Sequence, residues 1–81
     1  MDIYEAADAV QANIGEPVAL IDCGGYFYAV AYREEVESNR SAEYAYSTHL
    51  VVNHYLESGN YDMTREQAMA DLIYRCGYGR V

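Results

Sequence analysis

Two β-rich runs, residues 18–23 and 26–33, meet at Gly24-Gly25, and this junction constrains the fold more than any other feature of the chain. Paired glycines tolerate the positive φ angles of a two-residue hairpin loop, and the flanking Val, Ile, Tyr and Phe favour extended backbone. With the glycines as the loop, Cys23 lies opposite Tyr26, Ile21 opposite Tyr28 and Ala19 opposite Val30 on one face. On the other, Asp22, Leu20 and Val18 meet Phe27, Ala29 and Ala31. Both faces are largely apolar. The small Ala29 and Ala31 let a helix lie close, whereas the tyrosines opposite suit either packing or contact with a partner.

The segments around the hairpin carry helical signals. Ile3, Ala6, Ala7, Val10 and Ile14 recur on one helical face, Asp2 and Glu5 can form a capping box, and Glu16-Pro17 prevents continuation. Gly15 is expected to close the helix in a left-handed conformation. Near the other end, Thr64 and Gln67 form a second capping box before a stripe of Met69, Leu72, Ile73 and Cys76 that Gly77 stops. Residues 41–58 admit two readings. Tyr44, Tyr46 and Thr48 alternate as in a strand, whereas Ala45, Val52, Tyr55 and Leu56 suit a helix. One long helix is the preferred reading, a third strand followed by a shorter helix the alternative, and Gly59-Asn60 ends the element either way. The expectation is a single α+β domain over residues 1–81, with an N-terminal helix, a β-hairpin with a possible third strand, and two C-terminal helices.

Charge narrows the function. The chain of 81 residues has 13 Asp and Glu against 5 basic residues, all arginine, and a net charge of −8. Residues 1–37 hold eight acids against Arg33 alone, or −7, while residues 38–81 hold five acids against four arginines, or −1. Such a chain is repelled by nucleic acid and anionic lipid and attracted to basic protein surfaces. No run approaches the ~20 apolar residues of a membrane span. The acidic start lacks the basic and apolar regions of a secretory signal, so a cytoplasmic protein is expected. Cys23 and Cys76, 53 positions apart, are then expected to be free thiols.

Catalytic and metal chemistry find little support. His49 and His54 do not converge on a helix, and neither cysteine has neighbouring ligands, so no metal site and no cofactor are expected. Cys23 beside Gly24-Gly25 reads as a small core residue rather than a nucleophile, and the glycines lack the Lys and Ser/Thr of a phosphate loop. The chain is read as a non-enzyme. Ten tyrosines and no tryptophan are the remaining oddity, since Tyr joins a large apolar area to a polar tip and is enriched at binding surfaces.

Small size, acidity and surplus tyrosine resemble in general type, without an alignable motif, the phage-encoded anti-defence proteins, anti-CRISPR and anti-restriction proteins among them. The resemblance implies an inhibitor that sets carboxylates where a nucleic-acid-binding protein expects phosphates. The expected contact residues are Glu34, Glu35, Glu37, Glu43 and Asp22 with Tyr28, Tyr32, Tyr44 and Tyr46, and Glu5 and Asp8 are candidates to extend the acidic face. The expected partner is a basic, nucleic-acid-binding protein, with no direct contact to nucleic acid or membrane. The alternative is an accessory or scaffolding subunit that associates through its tyrosines, homodimerisation included.

Overall fold

The N-terminal helix starts where its capping box requires. In the computed structural model, which describes residues 1–33 and 42–77, α1 (Ile3–Asn13) opens with Asp2 Oδ1 accepting the Glu5 amide at 2.8 Å and Glu5 Oε1 accepting the Asp2 amide at 3.1 Å. These bonds satisfy donors that a first helical turn leaves unpaired. Gly15, however, does not close the helix in a left-handed conformation: among the described glycines, positive φ occurs at Gly24 (79°) and Gly25 (108°). Its requirement is steric. A Cβ at Gly15 would stand 2.2 Å from the Tyr32 carbonyl oxygen, so only glycine lets the chain pass there.

Four strands follow: β1 (Glu16–Asp22), β2 (Phe27–Tyr32), β3 (Tyr46–Val52) and β4 (Tyr55–Met63). They form one antiparallel sheet in chain order, with a 3₁₀ turn at Ala42–Tyr44 before β3. The first hairpin keeps the expected register, with Ile21 opposite Tyr28, Ala19 opposite Val30, and the Cys23 amide donating to the Tyr26 carbonyl at 2.8 Å. An irregularity at Val18 then puts Pro17, not Val18, opposite Ala31.

Residues 41–58 depart from the preferred reading. Among the described residues of this stretch no long helix forms, and the third strand of the alternative is present as β3, but the shorter helix after it is replaced by β4. The cause lies at Asn53 and His54, whose φ angles of 49° and 70° make a two-residue hairpin loop between β3 and β4. Asn and His visit this region more readily than other residues with a Cβ, and the flanking Val51-Val52 and Tyr55-Leu56 favour strands. Gly59-Asn60 does not end the element. Two register shifts let β4 carry extra residues, with Ser58 (φ 51°) and Asp62 (φ 59°) left-handed beside them. Bulges of this kind twist an edge strand and blunt its capacity to pair with another sheet.

The sheet separates two helices. On one face Ala6, Ala9 and Val10 of α1 pack against Phe27, Ala29, Ala31 and Val51, the small alanines of both layers permitting close approach. On the other, Ala68 and Leu72 of α2 (Arg65–Gly77) pack with Tyr28, Val30 and Cys23. Thr64 caps α2 as expected: its Oγ1 accepts the Gln67 amide at 3.2 Å and its own amide donates to Gln67 Oε1 at 2.9 Å. Asp71 and Arg75 meet on Thr48, for Asp71 Oδ2 accepts from Thr48 Oγ1 at 2.5 Å and from Asn60 Nδ2 at 2.9 Å, while Arg75 Nη1 donates to Thr48 Oγ1 at 3.1 Å. This cluster ties α2 to β3 and β4. The free-thiol expectation is overturned as well. The last turn of α2 crosses the end of the first hairpin, bringing the Cα atoms of Cys23 and Cys76 within 6.3 Å, and the two are disulfide-bonded. No helix among the described residues is long and apolar enough to cross a membrane.

Candidate functional site

The sheet pairing that replaces the expected long helix also builds a groove on the α2 side of the sheet. Tyr46 on β3 lies directly opposite Tyr32 on β2, and their rings pack at 5.2 Å between centroids with a 54° tilt. Both are half-buried and face the α2 side of the sheet. The Thr64 cap fixes the start of α2, whose first residues Arg65 and Glu66 line the same groove, as does Glu43 of the 3₁₀ turn before β3. The result is a groove of about 600 Å³ lined by Tyr32, Glu43, Tyr46, Thr64, Arg65 and Glu66. A second lobe of about 350 Å³ shares Tyr32, Tyr46 and Arg65 and is also lined by Glu16, Pro17 and Val18. Glu16 reaches this position because Gly15 allows the chain to run against Tyr32 and into register with it.

Glu16, Glu43 and Glu66 thus share the lining of the two lobes with Tyr32 and Tyr46, and Arg65 lines both lobes. Such a lining attracts a cation, which can interact with both a ring face and a carboxylate. Thr64 Oγ1 is already engaged in the helix cap.

The expected contact residues divide. Tyr32, Tyr46 and Glu43 come together in the groove, and Tyr44, 37 % exposed, sits in the adjoining turn. Glu34, Glu35 and Glu37 lie outside the described residues. Asp22 is not part of the groove: it stands at the far end of β1 from Glu16, about 20 Å away along a strand of that length, and its carboxylate accepts the Gly24 amide at 3.0 Å to hold the turn. Tyr28 is not available for contact either, being buried beneath Arg75, whose guanidinium lies 5.1 Å from its ring centroid. Glu5 and Asp8 belong to α1, across the sheet from the groove, and Glu5 lies 3.6 Å from His54 Nε2 in the β3–β4 loop. Glu16, Arg65 and Glu66 were not anticipated. The capping box at Thr64 was the available signal for the latter two, since it puts the next residues on an exposed first turn.

A second polar cluster lies under α1. His49 is buried on β3, its Nε2 2.8 Å from Ser47 Oγ and its ring edge-on to Tyr61. Burial, reinforced by the positive charges of Arg75 and Arg33, pushes its pKa down to about 4 and keeps the imidazole neutral. Ser47 is equally buried, so neither group of the pair faces solvent. Among the described residues no group of three or more His, Cys, Asp or Glu is placed to hold a metal ion. No family model, curated protein or solved structure matches this chain, and its own geometry carries the functional reading.

Proposed function

We propose that this chain is a small acidic protein-binding inhibitor that occupies the basic, nucleic-acid-binding surface of another protein by charge mimicry, in the manner of phage-type anti-CRISPR and anti-restriction proteins. It acts without catalysis or cofactor. The observation that carries this reading is the groove, whose two lobes are lined by Glu16, Glu43 and Glu66 together with the paired tyrosines Tyr32 and Tyr46. Carboxylates at its rim draw in Lys and Arg, and half-buried tyrosines supply apolar contact once the surfaces meet. Glu34, Glu35 and Glu37, which follow β2 directly in sequence, add charge to the same reading. The encounter is placed in the cytoplasm, where the Cys23–Cys76 bond would be open to reduction.

The test is capture of the partner on immobilised protein from host extract, followed by challenge with nucleic acid. Displacement of a basic protein supports mimicry. A partner retained in the presence of excess nucleic acid sinks it. A second reading, association through tyrosines with a copy of itself or a larger partner, rests on exposed Tyr4 (79 %), Tyr55 (72 %) and Tyr74 (61 %) with Ile73 (63 %). That association would be largely indifferent to salt.

A further inference from the structure

We propose that the groove is a receptor for an arginine side chain of the partner, held against the Tyr32 and Tyr46 rings while its N–H groups donate to Glu43 and Glu66; the inference rests on the binding role proposed above. The molecule uses this chemistry twice internally. Arg33 lies 5.6 Å from the Tyr61 ring centroid with Asp62 3.9 Å from its guanidinium, and Arg75 lies 5.1 Å from the Tyr28 centroid while sharing Thr48 with Asp71. The groove lining likewise brings tyrosines and glutamates together. Among the described residues, Arg33 and Arg75 are the arginines stacked on tyrosine rings, and Arg65 is not. Arg65 offsets one of the three carboxylates, which leaves the lining negative. A planar guanidinium can stack on a ring while donating within its own plane, whereas an ammonium is a compact, strongly hydrated point charge, so arginine fits better than lysine.

The probes are N-acetylated hexa-arginine and hexa-lysine amides, titrated at low salt into the full chain with amide and aromatic shifts followed by NMR. Hexa-arginine should bind at least about threefold more tightly than hexa-lysine, with the largest shifts at Tyr32, Glu43, Tyr46 and Glu66. Tyr46→Leu should weaken it about fivefold, Tyr46→Phe should retain it, and Arg65→Gln should strengthen it. Equal affinity for the two peptides, or shifts centred on Asp2 and Asp8 of α1, would overturn the proposal without recourse to any variant. A captured partner that nucleic acid displaces but hexa-arginine does not would likewise overturn it while leaving the inhibitor reading in place. Hexa-arginine seated in the groove beside a partner indifferent to nucleic acid would sustain the arginine site and sink the mimicry.

Discussion

His49 shows how one buried side chain sets a pH limit on the fold. Its folded-state pKa of about 4 lies below the ordinary 6.5, so the folded chain binds its proton less readily than the unfolded chain. Stability is therefore fully present above pH 6.5 and declines as the pH falls towards 4, by up to about 3 kcal/mol. Denaturant titrations between pH 7 and 4 should show that decline, and His49→Gln should flatten it; a slope unchanged in the variant would place its origin elsewhere. Gly15 makes a different demand. Because an added Cβ would meet backbone rather than a movable side chain, Gly15→Ala should cost about 1–3 kcal/mol and displace the amide resonances of Glu16 and Tyr32. Leu72, 2 % exposed on the inner side of α2, should cost roughly 2–4 kcal/mol when cut to alanine.

Among the elements, α2 depends most on specific ties. It buries only Ala68 and Leu72 fully, and the Asp71–Thr48–Arg75 cluster and the Cys23–Cys76 bond hold the rest. A cross-link closing 53 residues restricts the unfolded chain by about 4 kcal/mol in the loop-entropy account. Cys76→Ser, or reduction with dithiothreitol, should therefore lower the melting temperature and speed amide exchange first in α2; uniform loss across the sheet would argue against a local tie. The elements that the sequence made legible are those with local punctuation. Gly24-Gly25 gave the first hairpin and its register as far as Ala19, and the Thr64–Gln67 box gave α2. The β3–β4 hairpin was missed because its signals conflict, Tyr44, Tyr46 and Thr48 reading as strand and Ala45, Val52, Tyr55 and Leu56 as helix. Asn53-His54, two residues with some tolerance for positive φ between apolar pairs, was the weak cue that decides it. The disulfide depends on where α2 crosses the sheet, which no spacing of 53 residues reveals.

At the scale of the whole molecule, the lopsided charge of the sequence is redistributed by the fold. Asp2, Glu5 and Asp8 lie with α1 on one side of the sheet, while Glu16, Glu43 and Glu66 converge on the other. Tyr32, Tyr46 and Glu43 could be named from composition and alternation. Their assembly with Glu16 and Glu66 could not, because it requires β3 beside β2 and α2 across both. The most direct measurement is the association rate of the chain with its captured partner at several salt concentrations, for the wild type and for Glu16→Gln/Glu43→Gln/Glu66→Gln. Charge governs encounter more than it governs residence, so the wild-type rate should fall steeply with salt, and the triple variant should associate about tenfold more slowly at low salt. A Glu34→Gln/Glu35→Gln/Glu37→Gln variant should likewise associate more slowly with its fold intact. A groove variant that associates as fast as the wild type, with a rate indifferent to salt in both, would contradict the electrostatic account.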